Sequence, residues 1–157
     1  MIEVHSAEAR FQELGLVLPP ILPSVANFVP ALLDGELLYL SGQGPRDAKG
    51  YRFGKVGAEV SADEAREHAR LVGLSLLAVI RQELGSLDRV RRVVRLFGMV
   101  NATPDFALHS RVIDGCSDLL CDVFGPAAGR HARSAVGVGS LPGNISVEIE
   151  AVVAVRQ

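Results

Sequence analysis

The chain has 157 residues, enough for one domain with a substantial core. At 48% hydrophobic and 22% charged residues it has the composition of a soluble globular protein. Its formal net charge of −2 excludes a long-range positive field that would draw nucleic acid or an anionic membrane. The opening MIEVHSAEAR lacks the basic-then-apolar layout of a secretory leader. The longest apolar run, Leu71 to Ile80, is broken by Gly73 and Ser75 and falls far short of the roughly 20 residues a membrane span needs. A cytoplasmic protein is therefore expected, with residues 1–24 as an N-terminal helix and extended arm and residues 25–155 as the core.

Taken in order, residues 6–15 carry a short helical pattern with Phe11 and Leu14 on one side and Gly15 as its stop. Pro19, Pro20 and Pro23 then force an extended crossing. Val25 to Leu32 and Leu37 to Gly42 read as two strands joined at Asp34-Gly35, a hairpin signal. The second ends in Ser41-Gly42-Gln43-Gly44-Pro45, where the glycines permit close approach of a ligand to the backbone. As a phosphate loop this stretch is weak, having neither a Walker spacing nor a full dinucleotide fingerprint. Residues 46–56 are polar with two glycines and read as a loop.

Ser61 and Glu64 fit a capping box that opens a helix to Leu84, with Gly85 as its stop. Its apolar stripe comprises Ala65, Ala69, Val72, Leu76, Val79 and Ile80. Val90 to Val100 is β-branched and apolar and reads as a strand. Thr103-Pro104 predicts the start of a second long helix running to Phe124, with Gly125 as its stop. Cys116 and Cys121 both fall on that helix, about 140° apart around its axis, which argues against an intrachain bridge. His5, His68, His109 and His131 are scattered without ligand spacing, so no metal is expected. The order helix, strand, strand, helix, strand, helix, strand, strand gives an α+β class with two long helices on one face of the sheet.

The last quarter concentrates the chemistry. Two strand-like segments, from Arg130 and up to Val155, are expected to face each other across Leu141-Pro142-Gly143-Asn144. In the second, Glu148 and Glu150 share one face, while Val147, Ile149, Ala151 and Val153 share the other. In the first, Arg133 sits among small and apolar residues and needs an acidic partner or an anionic ligand. Either it pairs with Glu148 or Glu150 and ties two strands together, or it grips a ligand.

Four stretches in order resemble the RidA/YjgF family of reactive-intermediate (enamine/imine) deaminases: LLYLSGQGP, the capped helix from SADEA, VRRVVRLFGMV before Thr-Pro-Asp-Phe, and ARSAVGVGSLP with SVEIEAVVAV. The resemblance spans Val25 to Val155, and the N-terminal helix is similar to that of a larger branch of the family. It implies a chorismate mutase-like fold with a mixed sheet, assembled as a homotrimer around a barrel-like core with clefts between subunits. It implies hydrolysis of 2-imino acids or enamines such as 2-aminoacrylate to 2-oxo acids and ammonia, with no cofactor and no metal. Arg133 matches the family arginine that holds the substrate carboxylate. Glu148 matches the carboxylate that positions or activates water. Gly42 and Ala135 match positions whose backbone amides face the substrate. Phe28 stands where many active members carry a tyrosine, and Asp114 where an asparagine is usual. Asp114 would therefore need a partner such as Arg111 or a neighbour's arginine. His131 is a candidate proton carrier or a structural histidine. A non-catalytic binder of 2-oxo acids or related small carboxylates is the alternative. RNA cleavage or translational inhibition, functions under which family members are named, finds little support in a slightly acidic chain.

Overall fold

The computed structural model describes residues 6–157; residues 1–5, which include His5 and the first half of the opening non-leader stretch, lie outside the described residues. Helix α1, Ala7–Glu13, starts where Ser6 Oγ accepts the Ala9 amide proton. It buries Ala7 and Phe11 and is tied down by Glu8, which accepts from the Leu87 amide and forms an ion pair with Arg81. The Arg81 guanidinium also lies over the Phe11 ring, 4.4 Å from its centre.

Strand β1 covers only Ala31–Asp34, not Val25 to Leu32 as the sequence suggests. Residues 25–28 are bends, with the Phe28 amide donating to Ala26 O, and Pro30 has no amide to give a ladder. Strand β2, Leu37–Gln43, pairs antiparallel with β1 through the expected turn at Gly35. The stretch read as a loop holds a small hairpin of β3, Arg46–Asp47, and β4, Gly50–Tyr51. Arg52 donating to Asp47 and to Gly50 O locks it.

Helix α2, Ala62–Leu84, begins with the complete Ser61/Glu64 capping box and ends at Gly85 in the left-handed region. Strand β5 runs Val90–Asn101. Helix α3, His109–Gly129, begins five residues later than Thr103-Pro104 implies and passes beyond Gly125. Thr103 is already committed elsewhere: its amide donates to Val56 O and its carbonyl accepts from Phe106. At Gly125 the backbone breaks (φ 81°, ψ 163°) and Pro126 starts a further turn. Strands β6, Ala132–Val138, and β7, Val147–Val155, complete the chain.

The main sheet has the order β1-β2-β7-β5-β6, mixed, with β6 parallel to β5 and the other pairs antiparallel. The two terminal strands therefore do not face each other. Strand β6 returns from β5 through α3 and takes one edge of β5, as a crossover connection does, which leaves the other edge for β7. Val147, Ile149, Ala151 and Val153 turn inward as their alternation requires, joining one core with α2 and α3. The two long helices pack closely because Gly73 and Gly115 lie between them: a Cβ on Gly115 would sit 2.0 Å from Arg66 O. The opposite face of the sheet keeps large apolar groups exposed, Leu32 and Tyr39 among them.

Candidate functional site

Sheet register decides which candidate residues can meet. Ala31, Leu40, Ala151, Leu96 and Arg133 form one row across the sheet, and the first four are buried on the helix side. Arg133 is the outer end of that row, so its side chain leaves on the helix face. Glu148 pairs with Met99, and Glu150 with Phe97, on the opposite face. Arg133 and Glu148 thus lie on opposite faces, with β5 between their strands. The tie between Arg133 and Glu148 or Glu150 that the sequence allows does not form.

The acidic partner of Arg133 is Asp114 on α3, at 2.8 Å. The guanidinium also donates to Ser117 Oγ at 2.9 Å and to Ser110 O at 3.1 Å. It is not sealed off, with a side-chain exposure of 21% against 43% for Asp114. Arg111 takes no part; it pairs with Asp63 at 2.6 Å. His131 completes this cluster. Its Nδ1 lies 2.6 Å from Gly129 O, and a carbonyl only accepts, so Nδ1 carries the proton. Nε2 is then the acceptor for the Ser117 hydroxyl at 2.9 Å. Burial, which Gly129 O opposes and Arg133 reinforces, holds the His131 pKa below its ordinary value, so the ring is neutral at pH 7. Ser117 is absent from the sequence-derived candidates; a serine inside a helix carries no signal until Arg133 is seen beside it.

The other candidates gather on a cleft of about 780 Å³ lined by Phe28, Gly42, Arg46, Glu148 and Glu150 and walled by Ile21, Leu22, Val25 and Ile145. Phe28 is half exposed where it lines the cleft. Glu148 lies directly against Gly42: a Cβ on that glycine would sit 2.9 Å from Oε2. Desolvation, then the charge of Glu150, raises the Glu148 pKa above the usual carboxylate value. Ala135 stands in the row with Gly98 and Ile149, on the helix face and not in the cleft. Within one chain, then, Phe28, Gly42 and Glu148 come together, while Arg133 and Asp114 form a separate cluster.

Neither cysteine belongs to these groups as a nucleophile. Burial pushes Cys116 up to about 12 and raises Cys121 as well. Among the described residues no three His, Cys, Asp or Glu side chains come together as metal ligands would. No described helix is long and apolar enough to cross a membrane.

Comparison with known proteins agrees with this architecture. The family model described as "YjgF/chorismate mutase-like, putative endoribonuclease" matches residues 8–151. Protein TCP17 of Trypanosoma cruzi is 42% identical over 146 residues, covering 92% of this chain and 91% of the relative. A crystal structure of an Agrobacterium tumefaciens protein of unknown function is 42% identical, with a TM-score of 0.87 over 96% of this chain and 94% of that one. A Shewanella oneidensis protein whose crystal structure is described as that of "a putative endoribonuclease" is 30% identical, with a TM-score of 0.91 over 96% and 99%. RidA from an Antarctic Psychrobacter, at 24% identity and a TM-score of 0.59 over 88% and 94%, shares the fold. A mixed five-stranded sheet, two long helices on one face and a family match over nearly the whole chain lead to one conclusion: this protein belongs to the YjgF/chorismate mutase-like family.

Proposed function

We propose that the chain hydrolyses 2-imino acids or their enamine tautomers, such as 2-aminoacrylate and 2-iminopropanoate, to 2-oxo acids and ammonia without a cofactor. The observation that carries this reading is Glu148, a half-buried carboxylate held against Gly42 and facing an open cleft. An imine carbon is already electrophilic, so the protein mainly orients it and presents water. Ionised Glu148 accepts a proton as the water oxygen bonds to carbon. That proton returns to nitrogen, the hydroxyl proton follows, and the C–N bond breaks as the carbonyl forms.

The substrate carboxylate needs a guanidinium fork, and Arg133 of the same chain points away from Glu148. We therefore assign the fork to Arg133 of a neighbouring copy in a homotrimer, with the cleft closed between subunits. Exposed Leu32 and Tyr39 on the open sheet face, with exposed Phe28 lining the same surface depression, support such an assembly, since an apolar patch of this kind is usually covered. Asp114 then shares the fork and holds it in place.

The test couples 2-aminoacrylate, generated by a dehydratase, to 2-oxo acid formation. Wild type accelerates the reaction over its spontaneous rate, and Arg133→Ala and Glu148→Gln do not. No acceleration by wild type over a range of imines sinks the proposal. The Asp114–Arg133 pair favours a second reading, a binder of 2-oxo acids without turnover. Calorimetry selects it if binding is real, is lost in Arg133→Ala, and no imine is consumed. The endoribonuclease name of the Shewanella protein suggests RNA, but the net charge of −2 argues against it.

A further inference from the structure

Nothing in the proposed reaction uses the β3–β4 hairpin, yet it delivers an unusual group to the same cleft. Arg46, the first residue of β3, is only 6% exposed. Its backbone is fixed by pairing with Tyr51. Its side chain makes no hydrogen bond, ion pair or ring contact with any described residue. The arginines that hold carboxylates differ from it in exposure. Arg52, Arg66, Arg81, Arg111 and Arg133 each hold a carboxylate, and each is more exposed. A guanidinium carries five donors and a permanent charge, and burying it without a counter-charge is costly. Nor are its nitrogens sealed in. The buried, unsatisfied side-chain atoms among the described residues are Ser75 Oγ and Asn101 Oδ1, so the unpaired fork keeps an opening onto the cleft it lines.

Size points the same way. About 780 Å³ lies within the range of roughly 300–1,000 Å³ typical of pockets for drug-sized ligands, far more than a three-carbon imino acid fills. Beside Arg46 the lining includes the apolar side chains Ile21, Leu22, Phe28 and Ile145. The fitting occupant combines an apolar part for these walls with an acid group for the fork. A planar carboxylate matches the fork in two-pronged fashion, and it brings less charge against Glu148 and Glu150 than a phosphate would.

We infer that the substrate class is a 2-imino acid whose side chain ends in a second carboxylate, and that Arg46 binds this distal acid group; the α-carboxylate end rests on the deaminase reading above. Arg46 is thus a specificity residue, separate from the water-activating machinery.

The experiment measures binding of two product-like acids of equal length, 2-oxoglutarate and 2-oxopentanoate, by calorimetry. Wild type should bind the diacid at least about tenfold more tightly, because only the diacid satisfies the buried fork. Arg46→Gln should erase that preference and leave 2-oxopentanoate unchanged, and Arg46→Lys should restore part of it. Equal binding of both acids by wild type, binding of neither, or equal loss of both in Arg46→Gln overturns the inference. Arg46→Met supplies a readout independent of ligand. Removing an unpaired buried charge should hold or raise the Tm of the ligand-free protein, and a fall of several degrees would show the fork already satisfied within the assembly and overturn the idea. The two readings fail separately. Turnover of 2-aminoacrylate with no diacid preference removes Arg46 from recognition and keeps the deaminase; an Arg46-dependent preference without turnover of any imine does the reverse.

Discussion

Gly42 has no side chain because the Glu148 carboxyl group occupies the space one would take. An added methyl would meet Oε2 at 2.9 Å, and Oε2 is the far end of a flexible chain that can swing aside cheaply. Gly42→Ala should therefore fold with a Tm within a few degrees of wild type. Because a misplacement of about 1 Å can cost on the order of a hundredfold, it should lose most of its kcat. A large Tm drop in place of the kcat loss would contradict this account. Glu150 makes a second prediction at the same scale. It helps raise the Glu148 pKa, and Glu148 must be ionised to serve as the proposed general base, so the acid limb of kcat/KM should lie above the ordinary glutamate range. Glu150→Gln should move that limb to lower pH. The stability sign runs opposite to that of a salt-bridged acid. With its folded pKa raised, Glu148 costs stability as pH climbs from the usual value through the raised one, so Glu148→Gln should be at least as stable as wild type at pH 7. At this scale the sequence was informative for Gly42 and Glu148, whose places follow from strand alternation and the Ser-Gly run. It was silent on Arg46 and Ser117. An arginine in a polar, glycine-bearing stretch reads as solvated, and only the fold shows that this one is buried.

Among the elements, those defined by local chemistry were legible. The capping box and terminal glycine of α2, the two-residue alternation of β7 and the turn at Gly35 each depend on neighbours in sequence. Misreadings occurred where a distant partner decides. Thr103 has the composition of a helix cap, yet its amide is taken by Val56, and α3 starts only at His109. Residues 25–28 have strand-like composition, but with Pro30 behind them they bend. Closeness of α2 and α3 is the element-scale feature most open to test. A methyl on Gly115 would lie 2.0 Å from a backbone carbonyl, which cannot rotate away. Gly115→Ala should destabilise by about 1–3 kcal/mol or more through overpacking, despite the gain in helix propensity. Denaturant titration checks it, and a neutral or stabilising result would mean the helices separate freely.

At the level of the molecule, the α+β class and the helices on one face were readable from the order of elements and the mixed sheet from the family resemblance, whereas the strand order was not. Linear order places β6 beside β7, but the crossover through α3 sets β5 between them. With β5 between them, the register pairs Arg133 with Leu96 and Glu148 with Met99, so the two project from opposite faces of one sheet, and this bears on whether the proposed activity would depend on an assembly. If each working centre draws its arginine from one chain and its carboxylate from the next, neither defect need be fatal in company. Arg133→Ala and Glu148→Gln, each inert alone, should regain turnover when denatured together and refolded, with about a quarter of the centres rebuilt intact under random mixing. Mixed particles as dead as their parents would mean that both groups must come from the same polypeptide.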